Sequence, residues 1–228
     1  MRFGLKEPVK GINNNKILTP SQKSFLSEFV KSELGEVFRL TGGTALSAFY
    51  LEHRLSEDLD FFSKENVPLN VLERFLKSVG SIKEISFSKL FDRNIFSLKK
   101  NDGSLLKVEF TTNSLINIED HVSIDHLMID SFLDLTVNKL CAIADRFDAK
   151  DHVDVYCALK GSDLSLRNLM ELAEKKCDIK GIRHVLKSRI IQIPAGIDKL
   201  PLKVALSEND VKNFFEGLIR DIIAAEKI

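Results

Sequence analysis

The chain has 228 residues, enough to bury one large core or two small ones, and its 33 Lys+Arg balance its 33 Asp+Glu to a net charge of zero. That balance excludes the broad basic surface of a sequence-independent nucleic-acid binder, while leaving room for a local basic patch. No signal-peptide pattern follows Met1 and no apolar run is long enough to span a bilayer, so the expectation is a soluble cytoplasmic protein without membrane contact. Residues 1–18 are polar, with Asn13-Asn14-Asn15, and read as an extended or frayed arm. Thr19 then Pro20 is a helix start, a cap followed by Pro at the first helical position. Phe25, Leu26, Phe29, Val30 and Leu34 form one apolar face, and Gly35 stops the helix. Glu36 to Leu40 reads as a short strand.

The stretch that follows, Thr41 to Ser63, carries the chemistry. Gly42-Gly43-Thr44 opens an apolar helical run, Ala45, Leu46, Phe49 and Tyr50. Free N–H groups at a helix start attract phosphate; glycines let the backbone come close, and Thr44 can donate its hydroxyl. The bland reading is an ordinary strand-to-helix turn. After His53-Arg54-Leu55-Ser56 comes Asp58-Leu59-Asp60-Phe61-Phe62, whose alternation puts both carboxylates on one strand face. Two such carboxylates repel unless a cation lies between them, and Mg²⁺ prefers carboxylate oxygen. A phosphate cradle followed by a carboxylate pair points to nucleotide chemistry.

Downstream, Asn70 to Val79 reads as a helix ending at Gly80, then strands near Ile82–Lys89 and Asn94–Lys100. Asn101-Asp102-Gly103 is a hairpin turn leading into Ser104–Thr112, where Leu106, Val108 and Phe110 face one way and Lys107 and Glu109 the other. Glu109 is either a solvated strand glutamate or a third carboxylate beside the Asp pair. From Ser131 the pattern becomes helical, with a Ser131/Asp134 capping box and apolar positions Leu135, Val137, Leu140 and Ile143. Lys139 and Arg146 share a face, and Asp151 and Asp154 lie on the next helical stretch. Helices near Leu166–Cys177, Ile182–Ile191 and Ser207–Glu226 complete the chain, the last opened by a Ser207/Asp210 capping box. Cys141, Cys157 and Cys177 each fall in a helical pattern and read as buried reduced thiols. Sixteen Phe and no Trp indicate a Phe-built core.

TGGTAL followed by HRLSEDLDFF, with Gly-Gly about a dozen residues before Asp-x-Asp, resembles the nucleotidyltransferase superfamily and, in its wording, the AbiEii/AbiGii toxin family. LTVNKLCAIADRFDAKDHVDVY, Leu135 to Tyr156, matches that family's second signature, so the resemblance covers about the first two thirds of the chain. It implies an α+β fold: an N-terminal nucleotidyltransferase mixed sheet with flanking helices over residues 1–130, a helical domain over 131–228, and an active site in the cleft between them. It implies a Mg²⁺- or Mn²⁺-dependent enzyme that moves a nucleoside monophosphate from a nucleoside triphosphate to an acceptor. Asp58 and Asp60 would be the metal ligands and catalytic carboxylates, with Glu109 as a third ligand. Gly42, Gly43 and Thr44 would bind the nucleotide, and Lys139 would meet the triphosphate. Arg146 either touches phosphate or, as preferred here, pairs with Asp151 or Asp154. Asp151 is the matching active-site Asp, although Lys150 stands where the family usually has Arg. The resemblance further implies a toxin with a cognate antitoxin protein and an RNA acceptor such as tRNA. A nucleotide-binding protein without catalysis, and transfer to a small molecule such as an antibiotic, are the alternatives. The intact Asp58/Asp60 pair argues against the first.

Overall fold

The structure, a computed structural model, describes residues 8, 10–113, 116–177 and 179–226. It divides into two compact units, one from the described residues of 8–115 and 120–131, the other from those of 116–119 and 132–228. Among the described residues no helix is long and apolar enough to cross a membrane.

The first unit runs α1 (Pro20–Phe29), α2 (Leu34–Val37), β1 (Arg39–Thr41), α3 (Gly42–Leu46) continuing as a π-helical turn (Ser47–Leu51), β2 (Leu59–Ser63) and α4 (Leu69–Ser78). Then come β3 (Ile82–Leu90), β4 (Arg93–Lys100), β5 (Leu105–Thr112), β6 (Val122–Ile124) and β7 (Leu127–Ile129). They build one mixed sheet ordered β3-β4-β5-β2-β1-β7-β6, in which β2 runs parallel to β5 and antiparallel to β1. The expected capping at Thr19 is present: its hydroxyl accepts from Gln22 N, and the Gln22 side chain accepts from Thr19 N. Alternation along β2 sends Leu59, Phe61 and Ser63 inward. Phe61 lies tilted 4.3 Å from Phe29 of α1 and stacks 5.3 Å from Phe110 of β5, and Phe75 of α4 closes on Phe25 at 5.7 Å. The Phe-built core therefore lies on one face of the sheet, and Asp60 and Glu109 are left for the other.

Several expectations fail here for stated reasons. Of the arm expected over residues 1–18, residues 1–7 and 9 lie outside the described residues, and from Ile12 onward it is anchored: Ile12, Ile17 and Leu18 are buried. The buried Asn15 side chain donates to Ala48 O at 2.6 Å and accepts from Ile17 N and Leu18 N. A run of Asn looks solvated, yet Asn also folds a local turn on itself. The strand expected at Glu36 begins only at Arg39, after the single turn of α2. The short strands β6 and β7 carry too few residues to show a period, and β7 is specified by its parallel pairing with β1.

The second unit is helical: α5 (Phe132–Asp145), α6 (Ala149–Lys160), α7 (Leu166–Cys177), α8 (Ile182–Arg189), a 3₁₀ turn (Ile197–Lys199) and α9 (Glu208–Ala225). Val137, Leu140 and Ile143 of α5 pack with Val153, Leu169, Leu186 and Phe215 in one core. The Ser207/Asp210 capping box is formed. The Asp134 carboxylate accepts from Ile118 N and Glu119 N and pairs with buried Lys176 of α7. The cysteine expectation is overturned for two of the three, since Cys141 of α5 and Cys177 of α7 form a disulfide across 36 residues, while Cys157 is a half-buried reduced thiol. Periodicity gave each Cys a helix face but could not say which faces meet.

Candidate active site

On the polar face of the sheet, Thr41, Asp60 and Glu109 stand in one row across β1, β2 and β5. Residues directly opposite in adjacent strands share a face, so Asp60 and Glu109 are neighbours. Asp58 precedes β2, one step before the Leu59–Val108 pair, and meets Lys107 of β5, whose Nζ lies 2.8 Å from Asp58 Oδ2. That hydrogen bond holds the Lys107 ammonium above its ordinary range; burial opposes it, and the charges of Asp58, Asp60 and Glu109 add to it. Sequence reading had placed Lys107 and Glu109 on one strand face, and that two-residue spacing was the signal for Lys107. Glu109 is buried, and both its oxygens are engaged: Arg93 donates through Nε to Oε1 and through Nη2 to Oε2 at 2.6 Å, and Thr111 Oγ1 donates at 3.0 Å.

The glycine pair is explained by what presses on it. Gly42 has φ +73°, and a Cβ there would sit 2.2 Å from Asp60 Oδ2. Only glycine accepts both the left-handed backbone and the carboxylate. A Cβ on Gly43 would lie 2.6 Å from Arg54 Nη2 and 3.0 Å from Ser56 Oγ. Thr44 spends its hydroxyl on the Asp58 carbonyl, and Ser47 spends its own on the Arg54 carbonyl. Gln22 of α1 donates to Ser56 O at 2.8 Å and Glu57 O at 3.1 Å. One residue thus both closes the α1 cap and holds the loop that delivers Asp58. His53 and Arg54 are buried within this loop. Beside Asp60 in this row, the buried Thr41 hydroxyl has no hydrogen-bond partner among the described residues.

The remaining sequence-selected residues form a cluster inside the helical unit. Lys139 Nζ lies 3.0 Å from Asp151 Oδ1 and 2.8 Å from Asp154 Oδ2. Arg146 donates to Asp151 Oδ2 at 2.7 Å through Nε and to Oδ1 at 3.0 Å through Nη2. The preferred pairing of Arg146 with Asp151 is therefore present, and it supplies the bidentate contact that Lys150, paired with Asp148 at 3.2 Å, does not. Burial pushes the Asp151 carboxyl up, but Arg146 and Lys139 outweigh it and hold it below the usual range. Lys139 is 6% exposed, because the two acids of α6 draw it inward. No group of three or more His, Cys, Asp or Glu among the described residues has metal-holding geometry by itself.

Comparison with known proteins adds three findings. The family model described as nucleotidyl transferase AbiEii toxin, type IV toxin–antitoxin system, matches residues 24–226. An uncharacterized protein of Aquifex aeolicus (strain VF5) is 29% identical over 208 residues, which cover 90% of this chain and 98% of that protein. Two solved structures from Helicobacter pylori share the fold. JHP933 has a TM-score of 0.55 at 21% identity, covering 90% of this chain and 91% of its own. A second, provisionally described as a nucleotidyltransferase, has a TM-score of 0.59 at 19% identity, covering 90% and 96%.

Proposed function

The chain belongs to the nucleotidyl transferase AbiEii toxin family of type IV toxin–antitoxin systems, and from that premise we propose that it transfers a nucleoside monophosphate from a nucleoside triphosphate to an acceptor, using a divalent cation held by Asp58 and Asp60. The observation that carries this reading is the carboxylate face: Asp60 seated against Gly42, and Asp58 about half exposed beside it. These residues fit Mg²⁺ or Mn²⁺, since Mg²⁺ is commonly held by one or two carboxylates with water and substrate phosphate rather than by an all-protein cage. When bound, such a cation stabilises the charge on attacking and leaving phosphate oxygens.

The chain's own residues then have separate tasks. Gly42 and Gly43 keep the backbone bare where phosphate approaches, and Thr44 fixes Asp58 through its carbonyl. Glu109 stands next to Asp60 and joins the ligand set only by releasing Arg93. Lys139, Arg146 and Asp151 are assigned to triphosphate binding and catalysis by family resemblance; with Asp151 and Asp154 each taking one N–H of the Lys139 ammonium, a phosphate competes with the two acids for it. The acceptor is RNA such as tRNA, the partner is a cognate antitoxin, and the compartment is the cytoplasm.

The test is to incubate purified protein with labelled triphosphates and total RNA, with and without chelator. Label should enter RNA only when divalent metal is present. Asp58→Ala and Asp60→Ala should abolish transfer while melting as wild type does. Wild-type rates in an Asp60→Ala protein with an unchanged Tm would overturn the assignment.

A further inference from the structure

We infer that Lys107 is a resident counter-cation of the carboxylate face, which holds Asp58 until a divalent metal and a nucleotide displace its ammonium together. This rests on the metal-dependent reading above. The geometry is specific: Lys107 Nζ is 2.8 Å from Asp58 Oδ2, and Lys107 shares its strand face with Glu109, the neighbour of Asp60. Arg93 and Lys107 are held differently. Arg93 grips Glu109 with a planar fork on both oxygens, against a carboxylate that is 5% exposed. Lys107 is a single point charge on a flexible stem, with its side chain 41% exposed and that of Asp58 43% exposed. An ammonium in that position can swing away without unfolding anything.

Two consequences follow from charge alone. A divalent ion arriving by itself must push a positive group off Asp58, so it binds weakly. An ion arriving with a triphosphate brings several negative charges, and the released ammonium meets a phosphate instead of losing its partner. Metal and nucleotide therefore bind cooperatively, and the coupling is reciprocal: each raises the affinity for the other by the same factor.

The experiment measures Mn²⁺ binding, by the paramagnetic resonance signal of free Mn²⁺ and by calorimetry. It uses the full chain with and without α,β-non-hydrolysable analogues of the four nucleoside triphosphates. Lys107→Met removes the charge at similar length. It should tighten binding of Mn²⁺ alone by about fivefold, the equivalent of an accessible ion pair. It should also weaken the analogue in the presence of Mn²⁺, so that the cooperativity falls. Lys107→Arg should stay near wild type. Lys107→Gln should move in the same direction as Lys107→Met, and it decides the matter if the Met variant does not fold. Unchanged or weaker binding of Mn²⁺ alone to the uncharged variants, with wild-type binding still dependent on Asp58, overturns the role of Lys107 and leaves the metal reading standing. Binding of Mn²⁺ that Asp58→Ala does not alter overturns the metal reading itself, and this inference with it.

Discussion

Replacing Lys139 with Met should destabilise the helical unit by about 3–5 kcal/mol, the cost of breaking a buried ion pair from one side. The side chains of Asp151 and Asp154 are both 0% exposed, and that of Lys139 is 8% exposed. The variant therefore deprives two fully buried carboxylates of their shared ammonium. Arg146 still holds Asp151 by two hydrogen bonds, so that carboxylate keeps part of its compensation. For a chain of this size, that free energy lowers Tm by about 6–20 °C. Urea denaturation followed by far-ultraviolet circular dichroism reads the difference directly. Adding Asp154→Asn to Lys139→Met removes one of the two carboxylates that lose the ammonium and should recover part of the loss, a coupling that a double-mutant cycle measures. A Lys139→Met protein within 1 kcal/mol of wild type would refute the argument. The result also governs how binding data are read: weakened triphosphate binding in a Lys139 variant reports a phosphate contact only once its stability has been measured and allowed for.

Acid should act in two stages of the same sign. Burial pushes His152 below the ordinary 6.5, against the carbonyls of Arg189 and Asp148, so the unfolded chain takes up that proton first and stability starts to fall below about pH 6.5. Burial pushes Asp134 and Asp151 up, but Lys176 beside the first and Arg146 and Lys139 beside the second hold both below the ordinary 3.8, so a second loss sets in below about pH 3.8. Urea midpoints across pH 3 to 8 should show both steps, and His152→Gln should flatten the first. Gly42→Ala, whose Cβ would collide with Asp60 at 2.2 Å, should lose Asp60-dependent Mn²⁺ binding; retention of that binding would contradict the packing described. Gly217→Ala, inside α9 with open space around it, should raise stability by about 0.5–1 kcal/mol, read from the urea midpoint.

What could be read in advance was whatever a few consecutive residues decide. Thr19-Pro20, Asn101-Asp102-Gly103 and Ser207/Asp210 carry their structure in local hydrogen bonds, and the alternation from Asp58 to Phe62 fixes a strand face by stereochemistry alone. Partners distant in sequence were not readable. Lys107 and Asp58 are 49 residues apart and meet because β2 pairs with β5 in one register out of several. The buried pair Arg39–Asp130 spans 91 residues, and Cys141–Cys177 depends on which faces of α5 and α7 pack. The candidate site shows both limits. Gly42, Asp58 and Asp60 were found from spacing, but the reason for Gly42, the Asp60 carboxylate lying against its Cα, exists only in three dimensions.

The order of synthesis gives the Arg39–Asp130 pair a further meaning. β1 is an inner strand, with β2 on one side and β7 on the other. Asp130, the counter-charge of Arg39, is 91 residues further along the chain. At roughly 5–20 residues per second, a ribosome delivers it about 5–18 s later. The strands that carry Asp60 and Glu109 are complete by Thr112, so their face precedes Asp130 by the time of the last stretch of chain alone, about 1–4 s at the same rate. For this interval the nascent chain holds its carboxylate face while β1 is still an open edge, with unpaired backbone groups and an arginine awaiting its acid. Those seconds are when a chaperone, or any chain able to add a strand, can compete with β7 for β1.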